Sequence, residues 1–254
     1  MKALACLLLC WLGVATAQPL PDASLQESVG ASVPLDVAVQ DDRGRSARLA
    51  DYFGGRTPVL LVLGYYRCPQ LCGLVMHGLL DTLHAAQIPA DGPRVVGLSI
   101  DPQDGPEDAH LRLEQDLAYA RWLQASHAMP LDLLVAAPAD VARIARATGV
   151  RYAAQGPGFV HPATVVVLTP QGKVAGYFNG IGGDAKQMRD ALLQAADGSL
   201  GGWRSRLAVL CAHLDPSLGR NTGAVLAAMR GLAVATIALL AAFAWRQSRR
   251  RSGR

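Results

Sequence analysis

The sequence PVLLVLGYYRCPQLC spans residues 58–72 and joins an apolar run to two closely spaced cysteines. The apolar run, 58–66, is typical of a strand that is buried on both faces of a sheet. A helix is predicted to begin around Cys68–Pro69, because proline suits a first helical turn, where its missing N–H is not needed. Apolar residues at helical spacing extend this helix to about Ala86. The segment therefore predicts a buried strand that leads into a helix, with the cysteines at the junction.

Strands and helices alternate on both sides of this segment. The predicted strands are 34–40 and 46–50, which form a hairpin around the turn DDRG, then 58–66, 94–101, 131–136 and the hairpin 163–178; the predicted helices are 68–86, 106–123, 138–150 and 184–196. Residues 18–32 are predicted to be a loosely structured lead-in. The order β-α-β-α-β-α-β-β-α predicts an α/β sandwich of the thioredoxin type, with an N-terminal hairpin.

Cys68 and Cys72 are predicted to act together rather than as inert core cysteines. Four residues advance about 6 Å along a helix and return to nearly the same face, so both thiols can point at one spot. The separation also suits a disulfide. A helix N-terminus favours the thiolate, which is the form that binds metal or attacks a disulfide. The pair predicts either a soft-metal site for Cu(I) or a redox disulfide.

His161 is a third candidate ligand. It lies just after the Gly-rich run QGPGFV (155–160) and just before the strand ATVVVL (163–168). In a thioredoxin-like sheet this strand lies beside strand 58–66, so the loop that precedes it faces the cysteines. An imidazole added to two thiolates gives a three-ligand site that suits copper.

Both ends of the chain are predicted to serve targeting and membrane attachment. Residues 1–17 have one Lys before an apolar run and end in Ala-Thr-Ala, the layout of a secretory signal. Residues 223–245 are apolar except for Arg230 and Thr236, and about 20 such residues span a bilayer. They follow a juxtamembrane segment, 198–222. The tail 246–254 carries five Arg, which predicts a cytoplasmic C-terminus and an inner-membrane protein whose domain faces the periplasm or cell exterior.

The charge of the exported part excludes one class of partner. Of the 24 Lys and Arg, seven belong to the predicted signal, span and tail, which leaves 17 against 20 acidic residues for 18–229. This mildly acidic domain is not suited to binding nucleic acid. After signal removal the cysteines are Cys68, Cys72 and Cys211. An exported domain permits disulfides, and the odd count leaves one thiol unpaired or assigns it to metal.

Three segments carry a resemblance to a known family. GYYRCPQLCGLVMHGL (64–79), GLSIDPQDGPEDA (97–109) and FVHPATVVVLTPQGKVAGYF (159–178) together resemble the SCO/SenC family of copper-binding cytochrome c oxidase assembly factors. The resemblance covers about residues 33–197. The segment LCAHLDPSLGRNTG (210–223) is similar to a bacterial branch with a C-terminal membrane anchor.

The resemblance implies both a site and a client. Copper would be bound by Cys68, Cys72 and His161, in a thioredoxin-like domain, and delivered to the dinuclear copper centre of cytochrome c oxidase subunit II. The chain departs from the mitochondrial-type pattern, which has a proline after the second cysteine, where this chain has Gly73.

Other candidate residues remain open to two interpretations. Asp101 either hydrogen-bonds a metal ligand from outside or is the acid of an Asp-Pro turn. Cys211 and His213 either make a second metal contact or are a packed thiol and a surface histidine. The remaining histidines are predicted to be structural; they are His77, His84, His110 and His127.

Two functions compete for this set of residues. A copper metallochaperone is a binding protein rather than an enzyme and needs His161, whereas an exported thiol–disulfide oxidoreductase needs only the two thiols. Fast thioredoxin-type exchange normally uses a CxxC spacing, one residue shorter than that of Cys68 and Cys72. This spacing favours the metallochaperone; a peroxidase, which shares the fold, is a third alternative.

Overall fold

The computed structural model describes residues 23–68, 72–89, 92–123 and 130–199, together with Thr236. The chain divides into two compact units, Met1–Gly201 and Gly202–Arg254, and every element given below belongs to the first. Cys72 is described by its backbone, which begins a helix, and not by its side chain.

Strands and helices alternate through this unit. The elements are β1 (Ser24–Leu25), β2 (Ala38–Gln40), β3 (Ser46–Arg48), a 3₁₀ helix (Leu49–Tyr52), β4 (Val59–Gly64), α1 (Cys72–Ala85), β5 (Arg94–Ser99), α2 (Pro106–Trp122), β6 (Leu131–Ala136), α3 (Pro138–Ala147), β7 (Val150–Arg151), β8 (Ala153–Gln155), β9 (Gly158–Val160), β10 (Thr164–Leu168), β11 (Val174–Asn179) and α4 (Ala185–Ala196).

A seven-stranded sheet forms the centre of the unit, with the strand order β11-β10-β4-β5-β6-β2-β3. Strands β4, β5 and β6 are parallel, whereas β10 is antiparallel to β4, and β11 to β10. The apolar sequences of β4, β5 and β10 suit their central positions, because a strand covered on both faces needs apolar side chains on both. The β2–β3 hairpin continues the sheet beyond β6.

Helices cover both faces of the sheet. Leu60 and Val62 of β4 pack with Met76 of α1 and with buried residues of α2 and α4 in one core. Leu61 of the same strand packs with Ile144 of α3 in the other core. Alternate residues of β4 thus enter opposite cores, as the two-residue period of a strand requires.

The predicted architecture is confirmed. The unit is a mixed α/β fold of the thioredoxin-like type with an N-terminal hairpin, and the predicted strands and helices are found with ends that differ by a few residues. Asp184 caps α4 by accepting the N–H of Gln187 at 2.8 Å. Gly149, which follows α3, has a φ of 68°, a conformation that favours glycine after a helix.

Two segments differ from the prediction. The prediction that residues 18–32 form a loose lead-in is wrong for the described part, 23–32, because Ser24–Leu25 pairs with Val150–Arg151. Such short pairing is made by backbone groups and has no apolar sequence pattern. The β8–β9 hairpin was not predicted, because its Gly- and Pro-rich turn is also typical of a loop.

The predicted end segments lie outside the described residues. These are the signal 1–17, the span 223–245 apart from Thr236, the tail 246–254, and nearly all of the juxtamembrane segment 198–222. No helix in the described part of the chain is both long and apolar enough to cross a membrane.

Candidate metal site

The cysteine loop, defined here as residues 65–68, follows β4 at its carboxyl end. The carbonyl of Gly64 accepts a hydrogen bond from the N–H of Ile100 at 2.7 Å. This is the last backbone hydrogen bond from β4 towards β5. Cys68, at the end of the loop, is half-buried. The described part of α1 begins at Cys72. The two cysteines therefore lie where a central strand passes into a helix, as the sequence predicts.

His161 is brought to this junction by strand pairing. Strand β10 is antiparallel to β4 with Val165 opposite Val62, so the start of β10 lies beside the end of β4. The ring centroid of His161 is 6.3 Å from that of Tyr65, edge to face, and the ring of Phe159 lies 5.9 Å from Tyr65 in the same manner. His161 thus contacts the cysteine loop three residues before Cys68.

The surroundings of His161 favour a neutral ring. Burial lowers the pKa of His161 below its usual value, and the carbonyl of Pro162 opposes this shift. The Nδ1 atom lies 3.2 Å from that carbonyl oxygen. When Nδ1 carries the proton and donates it to Pro162, Nε2 keeps the lone pair that binds a metal. A neutral ring of this tautomer is the form in which an imidazole can bind a metal through Nε2.

Asp101 is found in a turn. Its Oδ1 accepts the N–H of Gln103 at 2.8 Å, and its Oδ2 lies 3.4 Å from Nη2 of Arg67. These contacts match the Asp-Pro turn interpretation. Asp101 also contacts the cysteine loop through Arg67.

Asp104 makes closer contacts with the loop and was not predicted. Its side chain is 0% exposed. It accepts the N–H of Tyr66 at 2.7 Å, the hydroxyl of Ser99 at 2.6 Å and Nε of Arg67 at 2.8 Å. The available signal was the presence of two aspartates, Asp101 and Asp104, between β5 and α2 and of one arginine in the loop, but the sequence does not say which acid is buried.

A second buried ion pair is made within α2, beside Gly73 and His77 of α1. Arg112 donates to Asp116 through Nε at 3.2 Å and Nη2 at 2.7 Å, and the Asp116 side chain is 1% exposed. Burial raises the pKa of Asp116, while Arg112 lowers it. Nε2 of His77 lies 3.2 Å from the same carboxylate without hydrogen-bond geometry, and its ring stacks on Tyr119 at 3.9 Å.

Three of the remaining histidines lie in the described part of the chain. His77 packs between α1 and α2, His84 lies in the last turn of α1, and His110 contacts Asp42 at 3.0 Å. His127 lies outside the described residues, as do Cys211 and His213. Among the described side chains, which do not include that of Cys72, no three His, Cys, Asp or Glu are gathered around a metal position.

The SCO1/SenC family matches residues 36–197, which is more than half of the chain. The chain belongs to the SCO1/SenC family. No curated protein sequence matches the chain.

Several solved structures are similar to this chain. A protein of Aquifex aeolicus VF5 described as an electron transfer protein is 25% identical, with a TM-score of 0.58 over 68% of this chain and 96% of its own. A SCO1/SenC family lipoprotein of Bacillus anthracis str. Ames is 16% identical, with a TM-score of 0.51 over 66% and 97%. Bradyrhizobium japonicum ScoI, solved with copper bound, is 20% identical, with a TM-score of 0.48 over 66% and 99%.

This SCO1/SenC protein has a packing reason for Gly73, where the mitochondrial-type pattern has proline. A Cβ atom at position 73 would lie 2.7 Å from both Nη1 and Nη2 of Arg112. The guanidinium therefore occupies the space that a side chain would need. Because Asp116 holds Arg112 there, a residue larger than glycine would push against a buried ion pair.

Proposed function

We propose that this SCO1/SenC protein is a copper metallochaperone, which binds copper through Cys68, Cys72 and His161 and supports assembly of the copper centre of cytochrome c oxidase subunit II. The family contains copper-binding cytochrome c oxidase assembly proteins. The observation that carries the proposal is the pairing of β10 with β4, because it brings His161 against the loop that ends in Cys68.

The chemistry of the three donors supports copper as the cargo. Thiolates are soft ligands that bind Cu(I), and imidazole also suits copper. Burial lowers the pKa of His161, so the ring is available as a neutral donor at neutral pH. The site is half-buried rather than sealed, since Cys68 and His161 both retain some exposure, and a cargo site needs such access for transfer.

A thiol–disulfide oxidoreductase is the second candidate. One observation favours it: Cys68 and Cys72 flank the place where a central strand passes into α1, and a helix N-terminus stabilises the reactive thiolate. The contact of His161 with Tyr65 favours the metallochaperone instead, because disulfide exchange has no use for a third ligand.

Copper analysis tests the proposal directly. The purified protein is expected to bind one copper ion per chain and to show a thiolate-to-Cu(II) absorption band after Cu(II) is added. Cys68→Ala and Cys72→Ala are each expected to abolish tight binding, because two thiolates supply most of the affinity. The measurement is metal content with the absorption spectrum. Unchanged copper content in either cysteine variant would place the site elsewhere.

We further propose that residues 223–245 anchor the protein in the inner membrane, with the domain facing the periplasm or cell exterior after removal of residues 1–17. The apolar length of 223–245 and the five Arg of 246–254 support this arrangement. Cargo delivered to oxidase subunit II would then be released on the side where the domain lies.

The proposed topology predicts the behaviour of reporters fused after Arg254. A reporter that is active only in the cytoplasm is expected to work, and one that is active only outside is expected to be inactive, because positive flanks stay cytoplasmic. Fusions placed after Ser199, before the anchor, are the matched control and should give the reverse pattern. The same pattern at both positions would contradict a membrane span between them.

A further inference from the structure

Asp104 joins the cysteine loop to the end of β5. Its fully buried carboxylate accepts three hydrogen bonds, from the N–H of Tyr66, from Nε of Arg67 and from the hydroxyl of Ser99. Two of the donors belong to the loop and the third to β5. All three are donors, so this position requires a group that only accepts, which an ionised carboxylate does.

The bond to Tyr66 holds the loop beyond the end of the strand. Backbone pairing of β4 towards β5 ends at Gly64, and Asp104 fixes the N–H two residues further on. The hydroxyl of Tyr66 donates to the carbonyl of Leu134 at 2.6 Å, so this residue is held at both ends. Tyr65, its neighbour, contacts His161. The position of Tyr66 therefore sets how the loop meets His161.

The bond to Arg67 holds the residue that directly precedes Cys68. Nε of Arg67 donates to Asp104 at 2.8 Å, and the carboxylates of Asp101 and Asp108 are more distant from its guanidinium. Those two lie 3.4 Å and 3.8 Å from the guanidinium. More exposed ion pairs of this kind contribute little. The fully buried Asp104 is thus the main anchor of Arg67.

We infer that Asp104 is a positioning residue of the copper site, which holds Cys68 in place relative to His161 through Tyr66 and Arg67. The inference rests on the proposed copper site, since Asp104 would act on the metal only through the loop. Residues that orient metal ligands from outside typically change metal affinity by about 10–100-fold when they are replaced.

Asp104→Asn tests this role with little change in shape. The asparagine side chain can place its NH₂ group at either of the two carboxylate oxygen positions. One position faces the N–H of Tyr66 and the other faces Nε of Arg67, so in either case one hydrogen bond to the loop is lost. We expect Cu(II) affinity, measured by competition with a chelator, to fall by about 10–100-fold. We also expect the thiolate-to-Cu(II) band to shift. In the metal-free protein, hydrogen exchange at the amides of Tyr66 and Cys68 should become faster.

Asp41→Asn is the matched control. Asp41 is also a buried carboxylate with three donors: the N–H of Arg43 at 2.9 Å, the N–H of Arg45 at 2.9 Å and Nε of Arg45 at 2.7 Å. It belongs to the β2–β3 turn, outside the cysteine loop. This variant is also expected to lose stability. Its copper affinity, its thiolate-to-Cu(II) absorption band and the hydrogen exchange of its loop amides should not change. Equal effects in the two variants, or no copper effect in Asp104→Asn, would overturn the inference.

Ser99→Ala covers the case in which Asp104→Asn does not fold. It removes the hydroxyl that donates to Asp104 and keeps the carboxylate. We therefore expect smaller changes of the same kind in copper affinity, absorption band and loop hydrogen exchange. If all three were unchanged, the inference would be overturned. Failure of the proposed function is recognised separately, because the unaltered protein would then bind no copper. Hydrogen exchange of the loop amides, compared between the metal-free Asp104→Asn and Asp41→Asn variants, would still decide whether Asp104 positions the loop.

Discussion

Cells that carry His161→Ala in this protein are expected to lack assembled cytochrome c oxidase at ordinary copper supply and to recover it when copper is in excess. Two thiolates can still hold Cu(I), whereas Cu(II) binding should weaken more, because the imidazole is the harder donor. Excess copper would then compensate for the weakened site. Oxidase activity and the haem spectrum of isolated membranes, measured across a copper series, give the result.

Controls separate copper delivery from thiol chemistry. His110→Ala removes a half-exposed histidine of α2 that contacts Asp42, and it should leave oxidase assembly normal. The purified His161→Ala protein should still form and break the disulfide between Cys68 and Cys72. Normal oxidase at ordinary copper in His161→Ala, together with failure of both cysteine variants, would make thiol exchange the working activity and the metallochaperone proposal wrong.

The parts of the fold that could be predicted are those with strong apolar patterns. Strand 131–136 has the predicted bounds, and 58–66 contains β4, because a strand buried on both faces must be apolar throughout. The pairing of Ser24–Leu25 with Val150–Arg151 could not be predicted in this way. It joins backbone groups of two segments of only two residues each, which are too short to show an apolar pattern, and its partners are far apart in the chain.

The same distinction applies to the site. Cys68, Cys72 and His161 could be proposed from residue type and spacing, because few side chains bind soft metals. Asp104 could not, because aspartate is common beside turns and only the structure shows which acid accepts Tyr66, Arg67 and Ser99. The supporting residues of a site have ordinary chemistry, and burial is what distinguishes them.

Gly73→Pro, which introduces the proline of the mitochondrial-type pattern, is expected to destabilise this protein by about 2 kcal/mol. A proline ring would occupy the space of the Arg112 guanidinium, and disturbing a buried ion pair costs about 3 kcal/mol or more. Proline itself suits a first helical turn and gains at most about 1 kcal/mol by restricting the unfolded chain. The destabilisation caused by the clash with Arg112 should therefore exceed the stabilisation that proline provides. Urea denaturation of the purified protein, followed by circular dichroism, measures the difference.

A double-mutant cycle attributes this loss to the ion pair. In an Arg112→Leu, Asp116→Leu background the buried charges are replaced together, which is often neutral or even stabilising. Leucine can turn away from position 73, because no buried carboxylate holds it there. Gly73→Pro should then be neutral or stabilising by up to about 1 kcal/mol, so the coupling between position 73 and the pair should be about 2 kcal/mol or more. The same loss in both backgrounds would show that Arg112 is not the reason for glycine at position 73.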